Sequence, residues 1–243
     1  MRTPAIVAIL ATAVALGLLT GEFVLPARSA ATPTPVVASS SPADGSSTPK
    51  PTPTPTPTPT PASGPMTNRN MVTAADLKEA GYAQPIHVQD SVGDGTYATA
   101  ACTGETSLGE TLGERNAHIR GLRTRADQDE VAHEVAAEAS SPELAQNFAE
   151  RLLLEDVQCQ EEPATHWVYG PTHTVAVAPG ITGSWMGTYQ GDLNTTGTAP
   201  RGKEPCGGLA VLRNGSHYGV LEVEACLGTA AMNRLVRAAV GRL

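Results

Sequence analysis

The stretch CGGLAVLRNGSHYGVLEVEAC, residues 206–226, decides the fold, because it describes a β-hairpin with a cysteine at each end. Asn214-Gly215 is a typical two-residue hairpin turn, since both residue types tolerate the positive φ that a type I′ turn requires. The turn predicts that residues 207–213 fold back on residues 216–225 as antiparallel strands. That arrangement brings the two terminal cysteines of the stretch together at the open end of the hairpin.

The opposite end of the chain has the pattern of an export signal. Arg2 supplies a positive charge, and the uncharged apolar run 5–19 follows it, as in a secretory signal peptide. Small side chains at Ser29 and Ala31 predict cleavage after Ala31, which would make residues 1–31 a signal peptide. The alternative is that these residues are an uncleaved membrane anchor. The protein is therefore expected at the cell surface or secreted, with membrane association through this segment only.

A stalk is predicted between the export signal and the rest of the chain. Residues 32–65 consist mainly of Pro, Thr, Ser and Ala, and Thr alternates with Pro from 51 to 61. Proline fixes φ and lacks an amide donor, so neither helix nor sheet can form there. We expect the segment to be either disordered or a polyproline-II spacer. A spacer would hold the domain that follows, residues 66–243, beyond the cell envelope.

Charge and cysteine content narrow the partners and cofactors. The formal net charge is −8 at pH 7, and no basic run offsets it, which excludes nucleic acid as a partner. Four cysteines in an exported chain indicate two disulfides. Of the three pairings, we favour the sequential one, Cys102–Cys159 with Cys206–Cys226. None of the four stands in a C-x2-C pair, so neither zinc nor another cofactor is predicted.

Three helices have clear sequence signals. Thr73 and Asp76 form a capping box before a short helix that ends at Gly81. Ser141-Pro142 begins a long helix, and Thr229 is expected to cap the last one. Strands are predicted near 96–101, 117–125 (with a bulge at Gly121), 172–178, 184–190, 207–213 and 216–225. We predict an α+β domain with an antiparallel sheet, helices packed on one side, two disulfides and the disordered stalk before it.

Several of these segments resemble the PknH-like extracellular sensor domain family of actinobacterial cell-surface proteins. The resemblance covers roughly residues 70–243 and rests on loose motifs. They are TAADL at 73–77, IRGLRTRAD at 119–127, SPE at 141–143, Cys102, Cys159 and the last cysteine pair. It implies a disulfide-braced α+β domain whose cleft senses or binds a ligand. It also implies that residues 130–139 form a half-buried strand with the glutamates on its polar side, although the same glutamates equally suit a helix.

No catalytic motif is complete. His133-Glu134 begins like a zinc-protease helix, but the residue at 137 is alanine where the second histidine would stand. Neither Ser184 nor Ser216 lies in a G-x-S-x-G elbow. We therefore expect His133 to be structural and the protein to have no enzymatic activity.

Aromatic side chains are scarce in this chain, yet five ring-bearing residues occur close together. Adjacent strands would bring them to one pocket for an apolar or sugar-like ligand, although ordinary core and edge packing is the simpler explanation. The candidate ligand-binding residues are Trp167, Tyr169, His173, Trp185 and Tyr189.

These observations predict a non-catalytic, sensor-like binding domain on a Pro-rich stalk, whose partner is a small molecule or a component of the cell envelope. One alternative is a secreted hydrolase with a histidine–carboxylate site formed by folding. Another is a structural envelope protein that docks to a neighbour.

Overall fold

The computed structural model describes residues 58–98, 104–124, 129–157, 160, 169–189 and 199–243 of the 243-residue chain. The predicted export signal, most of the predicted stalk, Cys102, Cys159 and Trp167 lie outside these residues. Within the described ranges, no helix is long and apolar enough to cross a membrane.

The described part of the chain is built on an antiparallel sheet, as predicted. Seven strands pair in the order β1-β4-β5-β9-β8-β7-β6, and β2 and β3 form a separate ladder. The strands are β1 (His87–Gly93), β2 (Thr96–Ala98), β3 (Glu105–Ser107), β4 (Ala117–Arg123), β5 (Glu130–Glu138), β6 (His173–Ala178), β7 (Ile181–Gly187), β8 (Gly208–Asn214) and β9 (His217–Val223). The strand implied by the family resemblance is confirmed as β5, but it is buried on both faces rather than half-buried, and Glu134 is fully buried instead of lying on a polar side.

The helices are α1 (Ala74–Ala80), α2 (Leu108–Leu112), α3 (Pro142–Val157) and α4 (Thr229–Arg242), with a 3-10 turn at Asn68–Asn70 before α1. The predicted capping box of α1 is confirmed, and Gly81 ends the helix with φ 114°. Thr229 is the first helical residue rather than the cap. Gly228 holds the cap position, and the Thr229 amide donates to the Glu204 carboxylate at 2.6 Å.

Helices cover both faces of the sheet, so the prediction of helices on one side was wrong. On β8, Ala210 and Leu212 belong to the core beneath α1 and α4, whereas Leu209 and Val211 belong to the core beneath α3. Successive residues of a strand point to opposite faces. The central strands are apolar on both faces, and this two-sided burial shows in the sequence as a continuous apolar run instead of an alternation.

The terminal hairpin forms as predicted, but its turn lies one residue further along. Asn214 pairs with His217, so the turn residues are Gly215 and Ser216, and Gly215 has φ +60°. Both primed hairpin turns require positive φ at the first central position, which glycine adopts without strain, and this favours Gly215 there. The predicted disulfide Cys206–Cys226 closes the open end of the hairpin.

The bulge expected at Gly121 in β4 is not there. The register of β4 with β5 shifts between Leu122 and Arg123. Ile119 packs against the core beneath α3, whereas Leu122 lies in the core beneath α1 and α4. The two side chains do not need to share a face, because both faces are covered.

Candidate functional site

Trp185 and His173 contact each other, but their main role is in core packing. Their rings stack with centroids 4.4 Å apart, since the two residues are partners across β6 and β7. The indole of Trp185 is fully buried and donates its Nε1–H to the Asn233 side-chain oxygen at 2.9 Å. Trp185 is therefore closed off from solvent, and His173 is half-buried at its edge.

The other described aromatic candidates lie elsewhere. Tyr169 belongs to the core beneath α3, on the opposite face of the sheet from Trp185. Tyr189 is half-buried and lies so close to Gly170 that a Cβ there would be 2.7 Å from the tyrosine ring. The four described candidates thus do not line one pocket, and a ligand-binding role for any of them stays a prediction.

An open groove lies instead between α3 and the strands β7 and β8. It has a volume of about 120 Å³, which is small beside the roughly 300–1,000 Å³ of pockets for drug-sized ligands. It suits one sugar-sized group or a single side chain of a larger ligand. The groove is lined by Gln146, Ala149, Glu150, Leu153, Thr182, Ser184, Val211 and Arg213.

The groove combines an apolar floor with a polar rim. Ala149, Leu153 and Val211 form the floor. Along the rim, Arg213 donates to the Gln146 oxygen at 3.2 Å. The Gln146 amide in turn donates to the Glu150 carboxylate at 2.8 Å on the next turn of α3. The floor can therefore contact an apolar surface of a ligand, while the rim forms hydrogen bonds with the ligand's hydroxyl groups.

His133 is held by hydrogen bonds at both ring nitrogens. Nδ1 lies 3.0 Å from the Glu130 carboxylate, and Nε2 lies 3.0 Å from the carbonyl oxygen of Thr96. Burial opposes protonation of the ring, but the hydrogen bond and charge of Glu130 outweigh it, so the His133 pKa is raised. With both nitrogens engaged, this geometry ties β2 to β5 and supports the predicted structural role.

Glu134, which the alternation in β5 predicts on the polar side of the strand, is fully buried. Its Oε2 accepts a hydrogen bond from the Val72 amide at 2.5 Å, and its Oε1 has no hydrogen-bond partner within the described ranges. Burial raises the pKa of Glu134 to about 8. The sequence around Glu134 does not indicate that this residue is buried, because the segment that covers it, at Val72, lies 62 residues away.

Asp156 is a second buried carboxyl that sequence reasoning missed. It lies near the C-terminal end of α3 and is 1% exposed, and neither carboxyl oxygen has a partner in the described part of the chain. Burial, followed by the charges of Glu155 and Glu222, raises the pKa of Asp156 to about 8. One signal was available, because Leu152 and Asp156 share a helix face at i, i+4 spacing.

Metal binding has no support in the described residues. Among them, no three His, Cys, Asp or Glu side chains are grouped as ligands of a metal ion would be.

Comparisons with known proteins leave the family open. No protein-family model matches the chain, and no curated protein is similar to it at a significant level. Among solved structures, the extracellular domain of PknH from Mycobacterium tuberculosis aligns with a TM-score of 0.43 and 7% sequence identity, covering 74% of this chain and 99% of that one. A likeness at this level supports no assignment of family, ligand or activity, so membership of the sensor domain family stays a prediction.

Proposed function

We propose that the domain is a non-catalytic, exported ligand-binding domain with a sensor-like role, and that the groove between α3 and β7–β8 is its ligand site. The observation that carries the proposal is the composition of that groove. Its floor is apolar and its rim carries Gln146, Glu150, Thr182, Ser184 and Arg213. We infer that the ligand is a compact hydroxylated group with one apolar face, such as a sugar ring.

Two features support the proposed location and mode of action. The Cys206–Cys226 disulfide is typical of proteins in oxidising compartments, in agreement with the export signal predicted at residues 1–31. The hydrogen bonds at both nitrogens of His133 leave that imidazole without a free position for proton transfer, which supports binding rather than turnover.

The groove can be tested by filling it. Ala149→Trp places a large ring on the groove floor, whereas Asn147→Trp adds the same ring at an exposed position of α3 outside the groove. With a panel of mono- and disaccharides as probes, we expect the unaltered chain to bind at least one sugar in NMR titrations. Affinity should fall at least tenfold in Ala149→Trp and less than twofold in Asn147→Trp.

Two results would contradict the proposal. Sugar binding that survives Ala149→Trp would place the site elsewhere, and an unaltered chain that binds no member of the panel would remove the ligand class. Hydrolysis of ester, peptide or glycan substrates that disappears in His133→Ala would favour the secreted hydrolase.

A further inference from the structure

The last residues of the predicted stalk lie against the turns at one end of the sheet. The Ala62 amide donates to the Asn214 side-chain oxygen at 2.8 Å, and the Ser216 amide donates to the Ala62 carbonyl oxygen at 3.3 Å. His217 Nε2 lies 2.7 Å from the Gly64 carbonyl oxygen. Residues 61–64 are thus held through their backbone, by one hydrogen bond to a backbone amide and two to side chains.

The residues that hold this segment are themselves fixed by the body of the domain. Asn214 is 5% exposed and donates its side-chain amide to the Val240 carbonyl oxygen in α4 at 2.9 Å. His217 is 2% exposed, and its other ring nitrogen contacts the Leu243 carbonyl oxygen. The side chains of Asn214 and His217 are therefore oriented by hydrogen bonds to the domain itself, and their positions do not depend on residues 61–64.

Gly215 makes room for the bound backbone, because a Cβ there would lie 2.0 Å from the Ala62 carbonyl oxygen. A Cβ at Gly180 would make an ordinary van der Waals contact of 3.7 Å with the Pro61 ring. The Gly215 amide also donates to the Gly180 carbonyl oxygen at 3.0 Å, which joins the β6–β7 and β8–β9 turns. The result is a shallow site shaped for a small residue preceded by proline.

The segment can leave without opening the core. Its side chains are exposed, apart from the half-buried Ala62, and apolar burial begins only at Met66, which is 7% exposed. Met71 and Val72 are fully buried and keep the chain anchored. Residues 61–64 are held by a few backbone hydrogen bonds, each of which contributes little net stability because water replaces it.

We propose that these turns form a binding site for extended peptides of proline and small residues, filled in cis by residues 61–64, and that the same segment of a second copy exchanges into it. Pro61 has a fixed φ in the free segment as well as in the bound one, which reduces the conformational entropy lost on rebinding. A second copy reproduces every contact of the cis segment, and reciprocal exchange closes as a twofold dimer.

The test uses the full chain and a synthetic peptide of residues 58–66, TPTPASGPM. Ala62→Pro removes the amide that donates to Asn214 and releases the cis segment. Gly215→Ala places a methyl group against the bound backbone and closes the site. Gly202→Ala is the matched control, because Gly202 also has positive φ, +71°, but a methyl group added there would meet no atom of the described residues within 4 Å.

In the Ala62→Pro chain, we expect the Ser216 amide to lose its protection from hydrogen exchange. This chain should bind the peptide at least tenfold more tightly than the unaltered chain, in which the cis segment competes. The same peptide carrying Ala62→Pro should not bind. The unaltered chain should form a reversible dimer in sedimentation equilibrium that Gly215→Ala removes and Gly202→Ala keeps.

Three results would overturn the proposal. They are continued protection of the Ser216 amide in the Ala62→Pro chain, no binding of the peptide to that chain, and an unaltered chain that stays monomeric at millimolar concentration.

Discussion

The indole of Trp185 is enclosed between β7 and α4, where it stacks on His173 and donates a hydrogen bond to Asn233. Its environment is that of a core residue, since it is fully buried and belongs to the larger apolar cluster. Its grouping in the sequence with four other candidate ligand-binding residues is therefore no evidence that Trp185 binds a ligand. A substitution here acts first on folding.

Trp185→Ala should lower the free energy of unfolding by about 3–5 kcal/mol, because it removes a large buried ring and leaves a cavity. Trp185→Phe should cost less, since it retains most of the packing and loses mainly the hydrogen bond to Asn233. Urea denaturation of both variants measures the difference. A variant that keeps full stability but loses sugar binding would instead restore Trp185 as a ligand-binding residue.

At the scale of the element, the β8–β9 hairpin combines a local turn with a covalent closure. Seven residue pairs run from Asn214–His217 at the turn to Gly208–Val223 at the open end. The disulfide Cys206–Cys226 lies just beyond the last pair and closes a loop with a sequence separation of 20. The hairpin thus has a fixed register even without the disulfide.

Replacing both Cys206 and Cys226 by serine should lower the free energy of unfolding by about 3 kcal/mol, because a loop of this size gains chain entropy when it is opened. The hydrogen-bonded register should persist, so the variant should keep its strand content. Thermal denaturation followed by circular dichroism tests both statements. Unchanged stability would contradict the first, and loss of strand signal in the native state would contradict the second.

The whole molecule carries buried carboxyl groups on both sides of its sheet. Glu134 lies beneath the segment that leads into α1, and Asp156 lies on the buried face of α3. Burial raises each pKa to about 8. In the unfolded chain, both groups titrate near their ordinary values. Between these values and pH 8, the unfolded chain has released protons that the folded chain keeps, so stability falls as the pH rises through this window.

Glu134→Gln should reduce this fall, because the amide stays neutral at every pH and keeps an oxygen for the Val72 amide. We expect its melting temperature to exceed that of the unaltered chain at pH 8 and to match it more closely below pH 5. Part of the fall in stability with rising pH should remain in this variant, because Asp156 still titrates in the same window. Glu79→Gln on the exposed side of α1 is the control, and an unaltered chain whose stability rises from pH 5 to pH 8 would contradict the prediction.

Local patterns in the sequence predicted the structure where the interaction itself is local. The capping box of Thr73 and Asp76 joins residues three positions apart, and the β8–β9 hairpin needs only a turn between two apolar runs. The start of α3 at Pro142 likewise follows from a single residue with a fixed φ. These features, and the antiparallel sheet with the Cys206–Cys226 disulfide, could be derived before the structure.

Tertiary structure alone decided which side chains become buried and which surfaces meet. Glu134 is covered by a backbone segment 62 residues away, and Ala62 meets Asn214 across 152 residues. The candidate groove arises where α3 crosses β7 and β8, so its lining comes from three separate elements. Sequence by itself determined most of the longer elements and their order, because caps and turns act over a few residues, but it did not indicate β1, β3 or α2. The layers, the buried carboxyls and the candidate sites depended on long-range packing, whose partners no local pattern identifies.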